Sequence, residues 1–80
     1  MSKLRRMRID VYGRLRIDVI RRRGTWTSYR LGADGKRAKL VDLVLADDAG
    51  PDEILEAVEA LYHEWATPDS ELEVLDVLMA

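Results

Sequence analysis

The chain has eighty residues, no cysteine, no phenylalanine and a formal net charge of -2. A chain this short builds one core from few side chains, and the lack of cysteine excludes disulfides, thiolate zinc sites and thiol catalysis. The small net charge conceals a segregation: residues 1–39 hold all thirteen Lys and Arg against Asp10, Asp18 and Asp34, while residues 40–80 hold twelve Asp and Glu and neither Lys nor Arg.

Such asymmetry points to an anionic partner for one half, a basic partner for the other, or two surfaces that satisfy each other. The basic start MSKLRRMRID has no apolar run behind it, and the longest apolar stretch, LVDLVLA, is broken by Asp42. A soluble cytoplasmic protein of one domain, 1–80, without a membrane segment, is the expectation.

In chain order, the first element is a repeat. Arg6-Met7-Arg8-Ile9-Asp10-Val11 recurs as Arg14-Leu15-Arg16-Ile17-Asp18-Val19, each copy alternating polar and apolar. That is the period of a half-buried strand, and the two copies predict a β-hairpin. Placing Met7, Ile9, Val11, Leu15, Ile17 and Val19 on one face requires an odd-numbered loop, most simply Tyr12-Gly13-Arg14. That register sets Arg8 opposite Asp18 and Asp10 opposite Arg16, so strand pairing alone accounts for these charges. Arg6, Arg14 and Arg22 are left without an evident acidic partner.

Thr25 to Leu31 is rich in β-formers and predicts a third strand. Asp34-Gly35 in GADGK marks a turn, and Ala38 to Leu45 reads as a fourth strand. The basic, β-rich half thus spans about 5–45. Pro51 suits the first position of a helix, with Asp52 and Glu53 complementing its dipole. Ile54, Leu55, Val58, Leu61, Tyr62 and Trp65 form one apolar stripe, with Glu56, Glu59 and His63 opposite. Thr67-Pro68 stops this acidic helix of about 51–66. In the C-terminal segment, 70–79, Ser70 and Glu73 would suit a capping box, whereas Leu72, Val74 and Val77 suit a last strand, which is the preferred reading.

His63-Glu64 begins like the zinc-protease signature H-E-x-x-H, but Thr67 stands at the second histidine position and the chain has no other His. Glu59 could add a ligand, which makes too few for a specific zinc site. A surface histidine near a helix C-terminus is the better reading. GADGK lacks the Ser or Thr of a phosphate loop, having Arg37 there. Gly32 to Gly35 also spells the G-x-x-G of KH domains, yet it lies between strands and carries an aspartate. Trp65 reads as the anchor of the helix on the sheet, its indole N–H wanting an acceptor.

The residues VYGR, YRLGADGKR and His63-Glu64-Trp65-Ala66-Thr67-Pro68 resemble a family of small bacterial proteins of unassigned function. The resemblance covers about Arg8 to the C-terminal segment. It implies no catalytic residues and draws attention to His63, Trp65 and Thr67. The chain departs from that pattern at Tyr62, where a cysteine is usual, and in its many N-terminal arginines.

The sequence therefore predicts an α+β fold: an antiparallel meander of three or four strands, one helix across one face, and a short C-terminal strand. The expected function is a non-enzymatic interaction module with no cofactor, metal or small-molecule substrate. It would act by protein contact or self-association through a basic sheet face and an acidic helix face. Arg6, Arg14, Arg22, Trp26 and Arg30 are the candidates on the sheet, and Glu56, Glu59 and His63 those on the helix. The alternative is single-stranded nucleic-acid binding, in which Trp26 stacks bases among the arginines; it requires Trp26 to face outward.

Overall fold

The computed structural model describes residues 3–79. The chain forms β1 (Leu4–Val11), β2 (Leu15–Arg22), β3 (Thr25–Leu31), β4 (Arg37–Lys39), the helix α1 (Pro51–Tyr62) with a 3-10 turn at His63–Trp65, and β5 (Leu72–Met79). The five strands make one antiparallel sheet in the order β4-β3-β2-β1-β5, so the last strand returns to pair with the first. The fold is α+β, and its five strands exceed the three or four expected of the meander by the C-terminal one.

The β1–β2 hairpin has the register that its repeat predicts. Val11 faces Leu15 across a three-residue loop, Ile9 faces Ile17 and Met7 faces Val19, which puts all six apolar residues on one buried face. Tyr12 and Gly13 adopt positive φ in the loop, and the Asp10 carboxylate accepts a hydrogen bond from the Gly13 N–H at 2.9 Å. Between β2 and β3 the link is only Arg23-Gly24, both at positive φ. That is the two-residue turn whose twist matches antiparallel strands.

The core lies between this sheet face and α1, which packs against β1. Ile54, Val58 and Tyr62, spaced four apart on one helix face, meet Met7, Ile9, Val11, Ile17 and Val19 in one buried cluster. Full burial of an aliphatic side chain contributes roughly 1.5–3 kcal/mol, so this interlayer is the main source of stability. Leu55, Leu61 and Trp65 flank the cluster and are half-buried.

Two expectations need correction. The fourth strand is three residues long, not Ala38 to Leu45. Leu40 donates its N–H to the Ser28 carbonyl at 2.8 Å, after which the chain leaves the sheet edge. Leu43 is then buried, Leu40 and Leu45 pack against the core, and Val41 and Val44 are 72% and 84% exposed, so "LVDLVL" does not alternate as a strand would. The α-helix proper ends at Tyr62, and the residues up to Trp65 tighten into a 3-10 turn before Ala66 extends towards Pro68. Ser70 caps no helix: its hydroxyl accepts from the Thr67 N–H at 2.8 Å and closes the turn that leads into β5.

Candidate interaction surface

A single helix covers one side of the sheet and leaves the other bare. On this outer face the register lines up Asp76, Arg8, Asp18, Tyr29 and Lys39 in one row across all five strands. An open trough of about 1030 Å³ runs along it, lined among others by Arg6, Arg8, Arg16, Arg22 and Arg37, with Asp10 and Asp18 in its floor.

Asp18 organises the middle of the face. Its two carboxylate oxygens accept from Nε and Nη2 of Arg8, both at 2.9 Å, while the Arg37 guanidinium stands 3.9 Å away. The carboxylate is 4% exposed, an unusual burial for an acid on a sheet face without a covering layer. The arginines themselves cover it. Hydrogen bonding to Arg8 is the main reason that the Asp18 carboxyl sits below its ordinary pKa, against the opposing effect of burial; the Arg8 and Arg37 charges add to the lowering. The same bond raises the pKa of Arg8. Arg37 also lies over the Tyr29 ring, 4.4 Å from its centroid, where a guanidinium is attracted to the ring face.

The sequence-predicted residues separate into two groups. Arg6 and Arg22 belong to the outer face, but Arg6 is not unpaired: its Nη2 donates to Asp76 on β5 at 2.6 Å. Arg22 is exposed, with no ion pair among the described residues. Arg14 is exposed at the hairpin loop and extends over Trp65, 5.9 Å from the ring centroid. Asp10 and Arg16 face each other, yet the Asp10 carboxylate bonds to the loop rather than to the arginine.

Trp26 and Arg30 lie on the opposite side. Trp26 faces Arg21 and joins the core cluster, and Arg30 faces Ile17. The stacking platform of Trp26 among Arg6, Arg14 and Arg22 therefore does not form, because the alternation along β3 turns Trp26, Ser28 and Arg30 to the helix side. The indole Nε1 of Trp26 is buried without an acceptor, whereas Trp65, for which an acceptor was expected, is half-buried and tilted against Tyr62 at 5.2 Å. Burial raises the pKa of the Tyr62 phenol, with Arg30 lowering it and Asp42 raising it.

The opposite surface of the molecule is acidic. Asp52, Glu53, Glu56, Glu59 and Glu64 are all exposed along the helix, with His63 beside them. No group of three His, Asp or Glu side chains among the described residues is placed to hold a metal ion. No helix among them is long and apolar enough to cross a membrane.

Arg37 and Asp76 were not among the candidates read from the sequence. Only the strand order, which puts β5 beside β1 and the short β4 beside β3, brings Arg37 to the trough and Asp76 to its ion pair with Arg6. No curated protein and no solved structure matches the chain. Residues 6–76 match the family described as Domain of unknown function (DUF7661), and with nearly all of the outer face and the helix inside that span, the chain belongs to this family.

Proposed function

We propose that the protein is a non-enzymatic interaction module that uses the bare outer face of its sheet to take an acidic protein surface. The observation that carries this reading is the trough itself: a sheet face left uncovered by the fold, with exposed Arg16 and Arg22 and half-exposed Arg8 and Arg37 around one buried carboxylate. Asp18 holds two of these guanidiniums in place, so a partner carboxylate meets donors that are already oriented. The acidic side of α1, with Glu56 and Glu59, gives a second copy of the chain the required charge, and head-to-tail contact is one form of the interaction.

The setting we infer is the cytoplasm of a bacterium, with the His63 to Pro68 segment as a family mark that shapes the end of the helix. Single-stranded nucleic acid is the less supported partner, since Trp26, the side chain that would stack its bases, is in the core.

The test is a charge reversal away from the core. Arg16→Glu with Arg22→Glu should abolish low-salt association with an acidic protein or with the chain itself, leaving the unfolding transition nearly unchanged. Undiminished association would reject the outer face as the contact. A fluorescently labelled single-stranded oligonucleotide that bound the wild type tightly, and bound this variant poorly, would move the assignment to nucleic acid.

A further inference from the structure

The two edges of the sheet differ in a way that the charged face does not explain. β4 is three residues long and carries Arg37 and Lys39, which blunts that edge. β5 is eight residues long, has no Lys, Arg or Pro, and among the described residues pairs on one side only, with β1. Val74, Leu75, Val77, Leu78 and Met79 are each 40–49% exposed along it. An open row of backbone donors and acceptors beside an apolar strand is a template for another strand.

We propose that β5 pairs with β5 of a second copy, antiparallel across a two-fold axis, making one continuous ten-stranded sheet. The sequence of β5 fits itself in one register. The register against β1 shifts at Leu75, since Arg8 faces Asp76 while Ile9 faces Val74. This bulge exchanges the parity of the strand: Leu72 and Val74 face the helix side before it, and Val77 and Met79 face the same side after it. With the axis between Leu75 and Asp76, Leu72 meets Met79 of the second copy and Val74 meets its Val77, all on the helix side, while Glu73 meets Leu78 on the outer side.

No carboxylates face each other in that register. Sliding by one residue sets Asp76 against itself or against Val74, mixing the faces; sliding by two sets Glu73 against Asp76 in one direction and outer-face Asp76 against helix-side Val77 in the other. A bulge on a free edge usually deters pairing; here it brings the apolar residues of two copies onto one side. At these exposures the five apolar residues present on the order of 400 Å² per copy, so pairing would bury at most about 800 Å², the scale of a weak, reversible dimer.

This deepens the self-association reading on a different surface, and salt separates the two: charge contacts weaken as salt rises, whereas backbone and apolar pairing persists. Sedimentation of the whole chain at high salt should show a monomer–dimer equilibrium, and Leu75→Glu, which sets a carboxylate against Asp76 of the second copy on both sides of the axis, should weaken it by about tenfold or more. Because that variant could be destabilised, a second measurement fixes the register. Facing residues lie ~4.5–5.5 Å apart at Cα, within disulfide reach, and the natural chain has no cysteine to compete. On oxidising a mixture of Val74→Cys and Val77→Cys chains, the mixed dimer should exceed either self-paired dimer severalfold. A monomer at the highest soluble concentration in high salt, or the three cross-linked species in the purely statistical ratio, would overturn the proposal. Association that vanishes with salt and survives Leu75→Glu would also overturn it, leaving the charged-face reading intact.

Discussion

The two faces of the sheet solve opposite problems with the same alternating sequence. On the helix side Met7, Ile9, Val11, Ile17 and Val19 are all but inaccessible, and each needs only an apolar neighbour of the right size. On the outer side Arg8, Asp18 and Arg37 hold one another in fixed geometry without any layer above them. The difference teaches that burial on the outer face is made by charge pairing, so it depends on pH and salt, while burial on the inner face does not.

The sharpest way to break that contrast is to delete volume from the inner side. Ile17→Ala, at a fully buried position, should cost about 2–5 kcal/mol in urea unfolding, with little dependence on salt. A loss below 1 kcal/mol would mean that the helix does not seal the core as described.

Asp18→Asn should follow, with a loss of roughly 1–3 kcal/mol at neutral pH, because the amide oxygen can accept only one of the two Arg8 bonds and the NH2 group turns a donor against the other. The pH dependence has a definite sign. The Asp18 carboxyl titrates below its ordinary range when folded, so its contribution is fully present above about pH 4, the unfolded value, and is lost as pH falls through the lowered folded value. Unfolding measured from pH 7 to pH 2 should show the wild type and Asp18→Asn converging in acid. Parallel curves would remove Asp18 from its central place.

Smaller again is Arg6→Ala. Its partner Asp76 is half exposed and Arg6 more than a third, so the pair should contribute less than about 1 kcal/mol, and salt should erase it. A larger loss would show that Arg6 acts through packing, by covering Ile20 and Leu78 on the outer face. At the low end, Glu56→Gln with Glu59→Gln should leave stability within about 0.5 kcal/mol, while reducing any low-salt head-to-tail association.

Much of this fold is legible in the sequence because its strongest signals are local. The repeat sets the strand period, and an odd loop is the only way to keep six apolar residues together; Pro51 and the 54-58-62 spacing define the helix. What escapes a linear reading is set by tertiary position. "LVDLVL" has the composition of an interior strand, but it follows an edge strand and has no neighbour to pair with, so it becomes a connection anchored by Leu40 and Leu43. Trp26 and Tyr29 differ only in parity, and the sidedness of β3 depends on its register with β2. The candidate surface was half legible: the Arg8–Asp18 pair follows from the repeat, whereas Asp76 and Arg37 come from strands whose neighbours the sequence does not specify.

The central claim is that the bare outer face, organised around Asp18, is the interaction surface. It is tested most directly by backbone amide NMR of the wild type, diluted serially at low salt. The account predicts concentration-dependent shifts on outer-face residues around Arg16, Arg22 and Arg37, together with Glu56 and Glu59 on the helix, and their loss at high salt. Shifts absent from the outer face at every concentration, with an added acidic protein also leaving it unperturbed, would contradict it.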